Sequence, residues 1–342
     1  MMRLPYFQYH APRTVREAAD LLAAYPDEAM LVAGGTDLLP NMKRRQQQPS
    51  RLVGLRGVAD LKGIRNADGL TIGAGTTLTE IVRDMKVRTS YRGLWQAAAQ
   101  VATPHLRNMG TLGGNICLDT RCNYYDQNYE WRKAIDFCMK KDGATCWVAT
   151  SSPRCLAVSS TDTAPALVAL GAEVSLVSAG GTRRIPITAL YRNDGIHYLT
   201  RHATEIVASV HLPPLEGWRS TYWKLRRRGS FDFPVLSVAA AVQLSAGGTV
   251  EAARIVLGAV ASRPSEADAA ATSLVGGSLT VEAIAQAGEL AAKAARPMDN
   301  TDFSLVWRKR VTRDFVTYAL RELRGDDVRE LRKKVLRQSG LS

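Results

Sequence analysis

Short apolar runs alternate with glycine turns over the first third of the chain. Apolar positions spaced by three and four residues are typical of amphipathic helices, whereas short apolar runs that end in glycine are typical of strands. Three glycine turns follow such elements, at 34–37, 73–77 and 110–115. The pattern predicts helices over 14–25, 78–85 and 94–101 and strands over 30–33 and 70–72.

The pattern changes between residues 118 and 155 and then returns. This segment is polar and aromatic, and it interrupts the regular pattern in the manner of an insertion. The proline pair at 213–214 indicates a domain boundary. Outside the insertion, the pattern predicts helices over 159–170, 265–295, 307–321 and 328–337 and strands over 172–177, 222–225, 236–244 and 255–260. The whole predicts an α+β protein with domains at 1–215, split near residue 58, and at 216–325, followed by a basic helix over 326–342.

Composition narrows the choice of partners. The chain has 342 residues, 46% of them hydrophobic, and a formal net charge of +13, which favours acidic partners. The basic residues lie beside no motif that is typical of nucleic-acid binding, so we expect no nucleic-acid partner. No stretch reaches the roughly 18 apolar residues that span a bilayer, and none resembles a secretion signal. We therefore expect no membrane association and a cytoplasmic location.

The glycine turns suit the binding of an anion. Glycine leaves backbone N–H groups free of a Cβ atom, so the chain can wrap closely round a group such as a pyrophosphate. An ordinary strand-to-helix turn is the alternative for any one of them. Neither the glycine spacing of dinucleotide-binding folds nor the phosphate loop of ATPases is present. These absences disfavour nicotinamide and ATPase-type nucleotide sites.

Three motifs together resemble a known family. The segments 31–38, 71–77 and 107–116 are similar to the three FAD loops of xanthine-dehydrogenase-type flavin subunits, in the same order and spacing. The resemblance implies a two-subdomain FAD-binding domain of the PCMH/vanillyl-alcohol-oxidase type with an iron-sulfur insertion, and a C-terminal domain of the CO dehydrogenase flavoprotein type. The implied FAD-binding residues are Ala33, Gly34, Gly35, Thr36, Asp37, Leu38, Thr76, Thr77, His105, Asn108, Thr111, Gly114, Asn115, Asp162 and Lys224.

Two of these residues have other possible roles. The resemblance implies that Asp162 holds the ribose or pyrophosphate region of FAD, but the residue also stands where it could cap the helix over 159–170. Lys224 is implied to approach the flavin ring, where a positive charge favours reduced anionic forms. A surface salt bridge is the alternative for Lys224.

The cysteines cluster in and beside the insertion. Cys122, Cys138, Cys146 and Cys155 are separated by 15, 7 and 8 residues, and Cys117 precedes them. Four thiolates are the ligands of a 4Fe-4S cluster or of a zinc ion. The spacing alone also allows unrelated buried thiols. Cys117 is left out of the quartet because it follows the third FAD loop directly.

An insertion with four cysteines at this point resembles one branch of the family, the flavin subunits of 4-hydroxybenzoyl-CoA reductases. That resemblance implies a 4Fe-4S cluster on Cys122, Cys138, Cys146 and Cys155. Electrons would pass from ferredoxin through the cluster and FAD to 2Fe-2S clusters on one partner subunit. From there they would reach the molybdenum cofactor on another, where 4-hydroxybenzoyl-CoA is reduced to benzoyl-CoA in anaerobic aromatic degradation. A heterohexamer is implied, with no catalytic residue on this chain.

Two other functions stay open. One is an FAD subunit of an oxidising molybdenum hydroxylase of the xanthine, aldehyde or CO dehydrogenase kind, with a structural metal site in the insertion. The other is a stand-alone flavin-binding or scaffold protein. Iron content separates the first from the reductase, and co-purification with partner subunits separates the second from both.

Overall fold

The described part of the chain folds into three units, each built around its own β-sheet. The computed structural model describes residues 3–229 and 231–337. Within these residues there are three sheets, of three, five and four strands. Residues 338–342 of the predicted C-terminal helix lie outside the described part, as do Met1, Met2 and Ser230. The mixed α+β class predicted from the sequence is confirmed.

The first unit is a small parallel sheet with two helices. Its strands are β1 (Gln8–His10), β2 (Ala29–Val32) and β3 (Arg51–Gly54), in the order β1-β3-β2, and its helices are α1 (Val15–Ala24) and α2 (Leu38–Lys43). Helix α1 begins after Thr14 because the Thr14 hydroxyl accepts a hydrogen bond from the backbone N–H of Glu17, whose carboxylate accepts one in return from the backbone of Thr14. Its buried face, which includes Leu22, packs against β3.

The second unit is a five-stranded antiparallel sheet covered by short helices. Its strands are β4 (Ile64–Ala67), β5 (Gly69–Gly73), β6 (Glu173–Ser178), β7 (Gly181–Pro186) and β8 (Ile206–Leu212). The sheet order is β4-β5-β8-β6-β7, and β7 is an edge strand with a mostly exposed surface. Its helices are α3 (Leu78–Arg83), α4 (Met85–Ser90), α5 (Arg92–Ala99), α6 (Pro104–Arg107), α7 (Leu112–Ile116) and α9 (Thr163–Ala169).

The segment over 118–155 folds mainly as loops around a core of its own. Its one described helix is α8 (Tyr129–Ala134), and its core contains cysteines and Tyr125. Both ends of the segment contact a residue of the C-terminal region. The backbone N–H of Asn123 donates to the carbonyl of Asn300 at 2.9 Å, and the Asn300 side chain donates to the carbonyl of Leu156 at 2.6 Å.

The C-terminal unit is a four-stranded antiparallel sheet with helices on one face. The sheet order is β12-β11-β10-β9, and the core includes Trp223 packed edge-on against Phe315. Its strands are β9 (Trp218–Leu225), β10 (Leu236–Leu244), β11 (Val250–Gly258) and β12 (Ser265–Glu266). Its helices are α10 (Asp268–Thr272), α11 (Val281–Ala294), α12 (Leu305–Arg324) and α13 (Arg329–Arg337).

Some predicted elements differ from those observed. The run over 265–295 is a short strand and two helices, because the glycines at 276 and 277 interrupt the helical pattern. The third glycine loop contains α7, which starts after Thr111 because the Thr111 hydroxyl accepts from the N–H of Gly114. The prediction lacks the strands β1, β3, β4, β7, β8 and β12 and the short helices α2, α4, α6 and α8. Among the described residues, no helix combines the length and the apolar character needed to cross a membrane.

Candidate functional site

The three glycine loops meet at one place. The N–H of Leu78 donates to the carbonyl of Gly110 at 2.9 Å, and the N–H of Leu112 donates to the carbonyl of Thr76 at 3.0 Å. The N–H of Gly113 also donates to the carbonyl of Ala74 at 2.8 Å. The second and third loops are therefore joined by backbone hydrogen bonds, although they are more than 30 positions apart in the sequence.

Glycine at position 34 brings the first loop against the third. A Cβ atom at this position would lie 2.0 Å from the carbonyl oxygen of Met109, a distance that excludes any side chain. Gly35 follows with a φ of +69°, a left-handed conformation that suits glycine. The first glycine is thus required for contact between loops, which differs from the direct approach to an anion that the sequence suggests.

The loops surround a large cavity. Its volume is about 720 Å³, within the usual range of ligand and cofactor sites. Its lining combines backbone from glycine turns with side chains from the second sheet unit and from the loop after β9, including Arg228 and Phe233. The predicted FAD residues in the lining are Ala33, Gly34, Gly35, Thr36, Asp37, Leu38, Thr111, Gly114, Asn115 and Asp162. The cavity thus offers the size and the polar side chains that a dinucleotide needs.

Five residues predicted to bind FAD lie outside this lining. Thr76 donates to the carbonyl of Gly63 at 3.1 Å, and Thr77 caps α3. The side chain of Asn108 accepts a hydrogen bond from Thr79 at 2.7 Å. His105 is exposed on α6, and Lys224 is buried behind the cavity. Contact of these five residues with FAD stays a prediction.

Asp162 and Lys224 form a buried ion pair. The Lys224 ammonium lies 3.0 Å from the Asp162 carboxylate, and the two side chains are 1% and 4% exposed. The Tyr222 hydroxyl donates to the same carboxylate at 2.7 Å. Burial raises the pKa of Asp162 and lowers the pKa of Lys224, whereas their mutual attraction opposes both shifts. The salt bridge considered for Lys224 is present, but it is buried instead of lying on the surface, and Asp162 stands at the helix start without capping it.

Asp37 in the first loop has a partner from the insertion. Its carboxylate forms an ion pair with Arg121, which also contacts Asp126 at 3.2 Å. Burial raises the pKa of Asp37, and the positive charge of Arg121 opposes this effect. The guanidinium of Arg121 also lies over the ring of Phe233, 4.7 Å from its centroid. One side of the cavity is therefore connected directly to the residue that precedes Cys122.

The four predicted ligand cysteines lie round a second, smaller cavity. Cys122, Cys138, Cys146 and Cys155 all line it, and each is 4–7% exposed. Cys117 faces the large cavity instead. In the described part of the chain, no three His, Cys, Asp or Glu side chains converge as the ligands of a single metal ion do. Cluster ligands are arranged more widely, because each thiolate binds a different iron atom.

Backbone turns and a glycine position the cysteines. The carbonyl of Cys122 accepts from the N–H of Asp126 at 2.8 Å, and the carbonyl of Cys138 accepts from the N–H of Lys141 at 2.8 Å. Gly195 packs against the Cys155 thiol so closely that a Cβ atom would lie 2.7 Å from its sulfur. These contacts turn the thiols toward a common space.

Burial favours the thiol form of Cys122 and Cys155. It raises the pKa of Cys122 to about 12 and that of Cys155 to about 11. A thiol in this state is a weak nucleophile, since the thiolate is the reactive form. A metal binds the thiolate, so ligation at Cys122 or Cys155 would release a proton.

The sequence-based prediction missed residues between the two cavities. Arg121, Asp119, Lys140 and Gly195 lie in irregular segments, where no period shows which side chains are buried. Closeness in the sequence to Cys122 and Cys138 is the one signal available for Arg121 and Lys140, and Asp119 and Gly195 have no such neighbour. It is weak, because neighbours of a site residue are often solvated.

Comparison with known proteins agrees with this geometry. Residues 5–215 match the family described as the FAD binding domain in molybdopterin dehydrogenase, and residues 220–323 match the CO dehydrogenase flavoprotein C-terminal domain. The chain is 33% identical to the FAD-binding subunit of an aldehyde oxidoreductase from Escherichia coli (strain K12), covering 89% of this chain and 95% of that protein. It is 28% identical to the carbon monoxide dehydrogenase medium chain of Hydrogenophaga pseudoflava, covering 86% and 89%.

Solved structures give the same result. A carbon monoxide dehydrogenase from Hydrogenophaga pseudoflava superposes with a TM-score of 0.77 at 27% identity, covering 93% of this chain and 97% of that one. Quinoline 2-oxidoreductase from Pseudomonas putida 86 superposes with a TM-score of 0.74 at 27% identity, covering 94% and 98%. The chain therefore belongs to the FAD-binding subunits of the molybdenum hydroxylase family of oxidoreductases, which includes the xanthine and CO dehydrogenases.

Proposed function

We propose that this chain is the electron-transfer subunit of an oxidising molybdenum hydroxylase, with FAD in the large cavity. The observation that carries the proposal is the convergence of the three glycine loops on a cavity of about 720 Å³. FAD supplies the redox chemistry when it is bound. The residues of this chain bind it, exclude water and place Asp162 at one side of it. A molybdenum-cofactor subunit and a 2Fe-2S subunit are the proposed partners, as the multisubunit character of the relatives suggests.

We further propose a 4Fe-4S cluster on Cys122, Cys138, Cys146 and Cys155. Four buried thiols around one cavity support it, because such clusters take four thiolate ligands. The insertion is polar and consists mainly of loops. Ligation of four cysteines to one cluster would link these loops, which have little regular structure to hold them. For the oxidising hydroxylase, the expectation from the sequence is a structural metal site in the insertion. We propose a redox centre there instead.

Metal and flavin analysis tests both sites. The complex is purified anaerobically as wild type, Cys138→Ser and Cys117→Ser, and iron, sulfide, zinc and flavin are measured. We expect about four iron and four sulfide per FAD in the wild type and in Cys117→Ser. Cys138→Ser is expected to lose both while it retains FAD. Zinc in place of iron, or equal loss in Cys117→Ser, contradicts the cluster assignment.

A second candidate function is electron transfer in a 4-hydroxybenzoyl-CoA reductase. The four-cysteine cavity favours it, since the sequence resemblance to that branch rests on the same insertion. In this function the electrons enter from ferredoxin and leave toward molybdenum in a heterohexamer, opposite to the oxidising direction.

The direction of electron flow separates the two candidates. The oxidised complex is mixed anaerobically with an aldehyde or an N-heterocycle, and bleaching of the flavin absorbance is followed. Substrate-driven bleaching supports the oxidising function. In a parallel sample, dithionite-reduced ferredoxin is supplied with 4-hydroxybenzoyl-CoA. Formation of benzoyl-CoA without bleaching in the first sample supports the reductase.

A further inference from the structure

A buried ion pair separates the cysteine cavity from the large cavity. The Lys140 ammonium lies 2.8 Å from the Asp119 carboxylate, and each side chain is 7% exposed. Lys140 lines the cysteine cavity, whereas Asp119 lines the large one. The pair therefore lies between the two sites proposed for the cluster and for FAD.

The surroundings of Lys140 fix its position. The ammonium donates to the hydroxyl of Thr120 at 2.7 Å and to the carbonyl of Gly195 at 2.6 Å. It also lies 4.9 Å from the ring centroid of Tyr125 and 5.5 Å from that of Tyr198, distances that are typical of cation–π contacts. With three oxygen partners and two aromatic faces, the charge is held in one place.

The two aromatic residues extend the connection. Tyr125 lines the cysteine cavity and donates its hydroxyl to Asp119 at 3.3 Å, whereas Tyr198 lines the large cavity. Lys140 and the proposed ligand Cys155 line the same cysteine cavity. The ammonium is therefore placed beside the site proposed for the cluster.

We propose that Lys140 sets the reduction potential of the cluster relative to the flavin, with Asp119 acting in the opposite sense. The proposal rests on the cluster assigned above to the four cysteines. A fixed positive charge beside a cluster stabilises the form that carries one more electron, and low local polarity strengthens the effect. Lys140 is a positioning residue in this sense, because it touches neither substrate nor flavin.

The equilibrium concerned is a simple one-electron couple. One electron is added to the cluster and one is lost by its donor, which is reduced flavin in the complex or dithionite in a titration. No bond forms or breaks, and no proton moves. The other charges nearby, Arg121, Asp126 and Asp37, pair with one another at the edge of the same region and remain unchanged in the variants described next.

A redox titration of the purified complex tests the proposal. Wild type, Lys140→Met, Lys140→Arg, Asp119→Asn and the control Lys133→Met are titrated anaerobically with dithionite and mediator dyes. The reduced cluster is followed by electron paramagnetic resonance, and iron content is measured in every sample. Lys133 is an exposed lysine of the same insertion, so solvent screens its charge.

Removal of the buried charge is expected to lower the potential. In Lys140→Met, the ratio of reduced to oxidised cluster at fixed ambient potential should fall roughly tenfold, equivalent to about 59 mV for one electron. Lys140→Arg and Lys133→Met should stay near the wild type. Asp119→Asn should shift the ratio in the opposite direction, because it removes the negative charge that offsets Lys140.

Each result has a definite meaning. A Lys140→Met complex with full iron and the wild-type potential overturns the proposal. If that variant loses iron, Asp119→Asn decides: a raised potential supports the proposal, and an unchanged potential overturns it. Wild-type complex without iron and sulfide overturns the cluster itself, a result distinct from a loaded cluster that does not respond to Lys140.

Discussion

The ammonium of Lys224 lies 3.0 Å from the carboxylate of Asp162, and neither side chain is more than 4% exposed. Asp162 lines the large cavity, whereas Lys224 lies behind it. We therefore expect the lysine to act on flavin through the aspartate that it holds, by orienting that carboxylate and neutralising its charge.

Loss of this lysine should destabilise the protein. Lys224→Met leaves the Asp162 carboxyl group buried without its cation, which costs about 3–5 kcal/mol when a buried pair is broken. The free energy of unfolding is measured by urea titration at pH 7 without flavin. Arg16→Met is the control, because the pair of Arg16 with Asp20 is exposed and contributes at most about 1 kcal/mol. Equal effects of the two substitutions would contradict the expectation.

A methyl group at Gly34 should separate the first and third loops. The Cβ atom of Gly34→Ala would lie 2.0 Å from the carbonyl oxygen of Met109, so the backbone has to move. We expect the purified variant to contain much less FAD than the wild type, as measured by the ratio of flavin to protein absorbance. Gly247→Ala is the control, since its nearest neighbour is 3.9 Å away. Wild-type flavin content in Gly34→Ala would argue against loop contact as the reason for glycine.

Gly195 should be required for the geometry of Cys155. In Gly195→Ala the added carbon would lie 2.7 Å from the Cys155 sulfur, so that thiol is displaced from the common space. Iron content per chain is expected to fall while FAD is retained, because Gly195 does not line the large cavity. Gly180→Ala, whose nearest neighbour is 3.7 Å away, serves as the comparison and should retain its iron.

Glu322 should make stability depend on pH in the acid range. Burial raises its pKa, but the ion pair with Arg332 and the hydrogen bonds from Thr221 and Trp223 outweigh burial, and the pKa falls below its usual 4.5. The folded protein therefore holds a proton at this carboxylate more weakly than the unfolded chain does. The stability that the carboxylate contributes is complete above pH 4.5 and is lost as the pH falls through the lowered pKa.

Comparison of two proteins isolates this effect. The melting temperatures of wild type and Glu322→Gln are measured between pH 7 and pH 3. Wild type should be the more stable at pH 7, and the difference should shrink as the pH falls below 4.5. A constant difference over this range would rule out ionisation of Glu322 as its source.

Local patterns were enough to predict most of the regular structure. Strand β10 was predicted over its full length, 236–244, because only Ser237 and Gln243 interrupt an apolar run that is typical of a buried strand. Strand β7 was missed, since its exposed edge carries Thr182, Arg183 and Arg184, which leave no apolar alternation to detect. Charged residues of this kind protect a sheet edge from unwanted pairing. They also remove the apolar alternation from which a strand is predicted.

The site residues that could be predicted are those whose amino-acid type itself indicates their role. Glycine turns and cysteines stand out in any sequence, and the structure places ten predicted FAD residues along one cavity and four cysteines along another. The Lys140–Asp119 pair could not be predicted, because 20 residues, including helix α8, separate its members and their contact depends on tertiary folding. Ion pairs of this kind follow no local rule.

The contacts of Asn300 bear on how the protein is made. Its backbone and side chain bond to Asn123 and Leu156, one at each end of the insertion. A ribosome releases the cysteines long before residue 300, so the insertion emerges without the residue that joins its two ends. The two contacts that join the ends of the insertion therefore form only after nearly all of the polypeptide has been synthesised. A chain truncated before this asparagine would lack both contacts.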